Sequence, residues 1–131
     1  MTGLSRITIV EDDADIRDIA ELALADIGGL EVQLCASGQQ AIATAADFAP
    51  DLILLDLMMP GMDGIETFAR LKAISALAAT PTIFMTARSG ERELDRLMEL
   101  GAAGIVAKPF DPMLLADEVR TIWQAATEAA A

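Results

Sequence analysis

The sequence predicts an α/β layer fold built on a parallel sheet. Five short aliphatic or β-branched runs recur along the chain. Stretches with apolar residues at helical spacing separate them, and the connections are short. Nearly continuous apolar runs suit strands buried on both faces. Strand–helix alternation of this kind closes into parallel pairs through right-handed crossovers.

Ile7-Thr8-Ile9-Val10 is the first run. A helix follows with Ile16, Ile19, Ala20, Ala23, Leu24 and Ile27 on one stripe, and Gly28-Gly29 stop it. Leu30 to Leu34 reads as the second strand. Ser37-Gly38 opens a second helix through Ile42, Ala45 and Ala46, which ends near Pro50. Leu52-Ile53-Leu54-Leu55 is the third strand. Asp63 and Glu66 form a D-x-x-E start for the third helix, with Ile65, Phe68 and Ala69 inward. Thr82-Ile83-Phe84-Met85 is the fourth strand, and Ser89 can cap the fourth helix, whose stripe is Leu94, Leu97 and Met98, with Gly101 past its end. Gly104-Ile105-Val106-Ala107 is the fifth strand. Asp111-Pro112 starts the fifth helix, with Leu115, Val119 and Ile122 inward. Beyond Trp123 the alanine-rich tail is expected to fray, and Trp123 suits either a helix seam or a contact surface. Strand order is not readable from periodicity.

A chain of 131 residues fits one domain and can bury a core without staples. With Cys35 as the single cysteine, no intramolecular disulfide forms. The lack of histidine argues against a zinc site and excludes a Ser-His-Asp triad. The 21 acidic and 9 basic residues leave a net charge of −12. Such a surface repels nucleic acid and anionic lipid and is suited to holding a cation. No apolar run approaches the ~20 residues of a membrane span, and Met1 to Val10 is not a signal peptide. The expected setting is a reduced cytoplasm, with no nucleic-acid or membrane contact.

Sites in such folds lie at the carboxyl ends of the strands. Glu11, Asp12 and Asp13 follow the first run, Asp56 the third, Thr86 the fourth, and Lys108-Pro109 the fifth. Taken singly, each has a plainer reading. The acidic triplet caps a helix, Asp56 is a turn residue before Pro60-Gly61, Thr86 ends a strand, and Lys108 is solvated. Asp56, however, ends an unbroken apolar run and precedes Leu57-Met58-Met59, so its carboxylate needs a partner. Crowded carboxylates call for a cation among them. Oxygen ligands of this hardness suit Mg²⁺. A lysine and a hydroxyl beside it can hold phosphoryl oxygens, and one carboxylate is then the nucleophile that forms an aspartyl phosphate.

The stretches Ile9-Val10-Glu11-Asp12-Asp13, Pro50 to Asp56, Met59-Pro60-Gly61-Met62-Asp63-Gly64, Met85-Thr86-Ala87 and Lys108-Pro109-Phe110 resemble, in order and spacing, the receiver domains of two-component response regulators. The resemblance covers roughly residues 5–125. It implies a three-layer (βα)5 flavodoxin-like fold with strand order 2-1-3-4-5. It implies Asp56 as phospho-acceptor, with Mg²⁺ held by Asp12, by Glu11 largely through water, by Asp56 and by the main-chain carbonyl of Met58. Lys108 would pair with the acceptor and then with the phosphoryl oxygens. Thr86 would move to bond the phosphoryl group, and Ala87 would leave room for access. Met58 and Arg88 would flank the hydrolytic water, and the Lys108–Pro109 peptide is a candidate cis bond.

A histidine kinase or histidine phosphotransfer protein would supply the phosphoryl group. The module would not be an enzyme in its own right but would assist its own phosphorylation and dephosphorylation. Phosphorylation would rearrange an output face made of the fourth helix, fifth strand and fifth helix, toward an unidentified output protein. The position three before the lysine, usually Tyr or Phe in the family, is Ile105, so the usual ring movement is not available to this chain. Ala102-Ala103-Gly104 lacks the acidic residues that many regulators with winged-helix domains use for dimer salt bridges. The chain ends soon after the fifth helix, so the expectation for residues 1–131 is one receiver domain with no effector domain. Two other classes lack residues they need. A haloacid-dehalogenase-like hydrolase needs a second Asp where Met58 stands, and a flavodoxin-like binder needs a Ser/Thr/Gly-rich loop where Glu11-Asp12-Asp13 stands.

Overall fold

A computed structural model describes residues 3–87 and 90–130. Its five strands are β1 (Arg6–Val10), β2 (Glu31–Cys35), β3 (Leu52–Asp56), β4 (Thr82–Thr86) and β5 (Gly104–Ala107). All pair in parallel, in the order β2-β1-β3-β4-β5. This is the flavodoxin-like order, with a change of winding direction at β1 and β3. The helices are α1 (Ala14–Glu21), α2 (Gly38–Phe48), α3 (Gly64–Lys72), α4 (Glu91–Glu99) and α5 (Leu115–Ala130).

Alternation along the strands divides the interior into two layers. Ile7, Ile9, Leu52, Leu54, Ile83, Met85 and Val106 face α1 and α5, where Ala20, Ala23, Leu24, Leu115 and Val119 meet them. Val10, Ile53, Leu55 and Phe84 face the other way, onto Ala41 and Ala45 of α2, Phe68 and Leu71 of α3, and Leu97 of α4. Every residue of β3 and β4 is buried. The expectation of burial on both faces is not met at the sheet edges. Along β2, Val32, Gln33 and Leu34 are only half-buried, and in β5 Ile105 is half-buried and Ala107 exposed. Each edge strand has a neighbour on one side only.

Four local expectations are corrected. The first helix changes pitch, running as a π-helix over Leu22–Ile27. The wider turn rotates the later residues, so Ala23 and Leu24 face the core while Ile27 is exposed. In α3, Ala69 is exposed, and Thr67 takes the inward place with its hydroxyl donating to the Asp63 carbonyl at 2.8 Å. The fourth helix has Gly90 at its N-cap, without a side-chain cap bond, and Ser89 lies outside the described residues. The alanine-rich end does not fray but stays helical to Ala130. Asp111 accepts from the Met113 amide at 2.9 Å and so caps the turn leading into α5. Trp123 proves to be a seam residue: it packs on the α1/α5 layer, and its indole N–H donates to the Asp51 carbonyl at 3.0 Å.

Asp63 caps α3 as its D-x-x-E start predicts, accepting from Glu66 N at 2.9 Å. The first residue of α3 has to be small. A Cβ on Gly64 would lie 2.4 Å from the Asp56 carbonyl oxygen and 2.7 Å from Leu57 Cα, both backbone atoms that cannot swing away. Gly64→Ala is expected to destabilise the protein by about 2–3 kcal/mol through overpacking. Urea unfolding followed by Trp123 fluorescence measures it, and an unchanged midpoint would mean that the loop between β3 and α3 yields freely.

Candidate functional site

The strand ends deliver their polar residues to one edge of the sheet. Val10 pairs with Leu55, so Glu11, the next residue, lies beside Asp56 at the end of β3. Thr86 ends β4 opposite Ala107, and Lys108 follows. The structure thus brings together Glu11, Asp12, Asp56, Thr86 and Lys108. Glu11, Asp56 and Thr86 are buried, while Asp12 is exposed.

Lys108 Nζ lies 2.9 Å from Glu11 Oε1 and 3.2 Å from Asp56 Oδ1, so one ammonium serves two buried carboxylates. Asp56 Oδ1 also accepts from the Met58 amide at 3.4 Å, and the Asp13 amide donates to Glu11 Oε2 at 3.1 Å. Burial raises the Glu11 pKa to about 7, against the lowering effect of the Lys108 and Asp13 hydrogen bonds. For Lys108, burial lowers the pKa, but the Glu11 hydrogen bond and the charges of both carboxylates outweigh it and raise the pKa. The ammonium therefore stays charged at neutral pH.

Carboxylate oxygens of Glu11, Asp12 and Asp56 lie within 4.8 Å of one another. With all three ionised, Lys108 offsets one charge and about two negative charges remain. All-oxygen donors with that residual charge fit a hard dication such as Mg²⁺. The Met58 side chain is 77% exposed at the rim. Ala87 is exposed beside Thr86, and Arg88 lies outside the described residues. Ile105 is half-buried against the α2/α3/α4 layer. The Lys108–Pro109 peptide is cis. Pro109, Phe110, Ile16 and Ile19 line a largely apolar groove of about 340 Å³ that reaches Lys108.

One residue at this edge is not reached from the sequence. Arg17 Nη1 of α1 donates to the Glu11 carbonyl at 2.8 Å and to the Asp12 carbonyl at 3.1 Å. The only signal available was a basic residue one turn inside an otherwise acidic helix start.

The Glu11 shift has a sign that can be tested. Its folded pKa of about 7 lies above the unfolded 4.5, so the folded state binds the extra proton between these values. The stability this contributes is complete below about pH 4.5 and is lost as the pH rises through about 7. Without metal, Glu11→Gln is expected to gain on the wild type over this interval, by about 3 kcal/mol in all. Urea titrations at pH 5 and 8 measure the difference, and a constant gap would show that Glu11 titrates normally.

The fold and site are thus an α/β module with two buried carboxylates bridged by one lysine, and a third carboxylate beside them, at the carboxyl edge of a 2-1-3-4-5 sheet. Residues 7–120 match the model of the response regulator receiver domain. The phosphate regulon transcriptional regulatory protein PhoB of Pseudomonas aeruginosa is 39% identical over 116 residues, which are 88% of this chain and 50% of that protein. The DNA-binding response regulator MtrA of Mycobacterium bovis is 35% identical over 119 residues, 91% of this chain and 50% of that one. Chemotaxis protein CheY4 of Vibrio cholerae superposes with a TM-score of 0.84 at 28% identity, covering 92% of this chain and 99% of that chain. The chain belongs to the response regulator receiver domain family, the phospho-accepting signalling modules of two-component systems. It spans about half the length of these two curated relatives. No helix among the described residues is long and apolar enough to cross a membrane.

Proposed function

We propose that Asp56 is the phospho-acceptor of this module and that Glu11, Asp12, Asp56 and the Met58 carbonyl hold Mg²⁺ beside it. The observation that carries this reading is the buried Glu11–Lys108–Asp56 arrangement with Asp12 at its mouth. Asp56 Oδ1 takes the hydrogen bonds from Lys108 and Met58 N. Oδ2 is then the atom that attacks the phosphorus of a phosphohistidine on a histidine kinase or histidine phosphotransfer protein. The P–N bond breaks, the P–O bond forms, and the imidazole takes up a proton. Bound Mg²⁺ supplies positive charge against the phosphoryl oxygens. Lys108 exchanges its carboxylate contacts for a phosphoryl oxygen, and Thr86 supplies a hydroxyl from the next strand. Water later cleaves the acyl phosphate to inorganic phosphate and the free Asp56 carboxylate, past the exposed Met58. Turnover of this kind leaves the module an acceptor that assists its own chemistry, not an enzyme acting on other molecules.

The groove of Ile16, Ile19, Pro109 and Phe110 supports the partner assignment. It offers a protein surface an apolar seat next to Lys108, where a phosphohistidine has to approach. Met113 and Leu114 are both exposed on the turn before α5. The net charge of −12 favours a protein partner for these residues over nucleic acid and fits a cytoplasmic setting. MtrA is DNA-binding by its name, and what a longer protein containing this chain would do lies with its other parts. Toward the output face, Leu57, Ile65 and Thr86 border a cavity of about 250 Å³ that reaches Glu93 and Arg96 of α4. It gives Thr86 a route to α4.

Intact mass after incubation with acetyl phosphate, with and without Mg²⁺, tests the proposal. One added phosphoryl group that requires Mg²⁺ is expected. A Mg²⁺-independent gain would refute the metal assignment, and no gain from either acetyl phosphate or a phosphorylated histidine kinase would refute the acceptor assignment.

A further inference from the structure

We infer that Arg17 is a positioning residue that presets the acidic loop for its metal, an inference that rests on reading Glu11, Asp12 and Asp56 as a Mg²⁺ site. The loop between β1 and α1 carries two of the three carboxylates, and its carbonyls need donors. Arg17 engages three in succession. Its guanidinium Nη1 donates to the carbonyls of Glu11 and Asp12, and its backbone N–H donates to that of Asp13 at 2.9 Å. Charge-assisted bonds to two adjacent carbonyls fix both peptide planes and so limit where the Glu11 and Asp12 carboxylates can reach. Asp13 is committed elsewhere, because its carboxylate caps α1 through the amides of Asp15 and Ile16. The Asp12 carboxylate is exposed, so its backbone is what places it.

The sign of the effect separates positioning from plain electrostatics. A guanidinium beside a cation site repels the cation. If Arg17 acted only through its charge, removing it would tighten Mg²⁺ binding. If it presets the loop, removing it loosens binding, because ordering Glu11 and Asp12 then falls on the binding step. Outer partners of metal ligands typically change affinity 10- to 100-fold, and that is larger than the opposing repulsion between partly hydrated charges.

The test is the Mg²⁺ dissociation constant by calorimetry in the wild type, Arg17→Ala, Arg17→Met and Arg17→Lys, with thermal unfolding of the metal-free proteins beside it. Arg17→Met keeps the apolar stem, which guards against a merely misfolded variant. About tenfold weaker binding in the Ala and Met variants, with part of it restored in Arg17→Lys, is the expected result. Acetyl phosphate uptake by these variants should approach the wild-type rate at saturating Mg²⁺ and fall at limiting Mg²⁺. Unchanged or tighter Mg²⁺ binding in folded Arg17→Ala and Arg17→Met would overturn the inference while leaving the metal site standing. A wild type that binds no Mg²⁺ would overturn the metal reading and this inference with it.

Discussion

Asp56→Asn is expected to abolish phosphoryl uptake and to leave the fold intact. The carboxamide keeps an oxygen for Lys108 and the Met58 amide, the two bonds Asp56 Oδ1 accepts. It lacks the anionic oxygen that attacks phosphorus, and no neighbouring group can restore one. The substitution also removes one of two buried carboxylates that share a single ammonium. With that repulsion gone, Lys108 and Glu11 form a simple buried pair, and the variant should be at least as stable as the wild type without metal. Intact mass and a thermal melt check both halves. A phosphoryl gain at the wild-type rate would move the acceptor to Asp12 or Asp13.

Lys108→Ala is expected to have the second largest effect, and its two consequences have opposite dependence on metal. Without Mg²⁺ the change leaves Glu11 and Asp56 buried with no counter-charge, which costs about 3 kcal/mol at neutral pH. Protonation of Glu11 recovers part of this as the pH falls. Bound Mg²⁺ should recover more, because it takes over the role of the missing charge, and its affinity should rise with the competing ammonium gone. Phosphoryl uptake at saturating Mg²⁺ should nonetheless fall by about 10²-fold or more, the usual effect of removing one donor to developing negative charge. Urea titration with and without Mg²⁺, together with the rate of mass gain, measures each. Full-rate uptake by Lys108→Ala would remove Lys108 from the chemistry and leave it as a counter-ion for Glu11.

Much of this molecule was legible in the sequence. Each of the five apolar runs became a strand within a residue or two, because short aliphatic and β-branched stretches fit a packed sheet, fully buried in β3 and β4 and partly so at the edges. The residues that end those runs were also legible as a group. In a parallel sheet all carboxyl ends lie at one edge, so Glu11, Asp12, Asp56, Thr86 and Lys108 had to converge whatever the details. Ser37, Asp63 and Asp111 were readable as caps because a cap is a property of the few residues around it. The strand order came from resemblance alone, since periodicity says which residues are inward but not which strand lies beside which.

The sequence by itself therefore determined the strands, the caps and the residues at the functional edge, because all three follow from local spacing and from the apolar character of short segments. Only the tertiary structure decided who meets whom. Whether Lys108 would choose Glu11 or Asp56 depends on a contact 97 residues away and another 52 away. Trp123 became a seam residue because the Asp51 carbonyl, 72 residues distant, stands where its indole points. Arg17 turned onto the loop before it, and Thr67 displaced Ala69 from the inner face of α3, through bonds to carbonyls that sequence spacing does not reveal. The pitch change after α1 and the half-exposure of β2 and β5 likewise depend on what packs beside each element. Such choices rest on partners far apart in the chain, and their free energies exist only once the layers have closed.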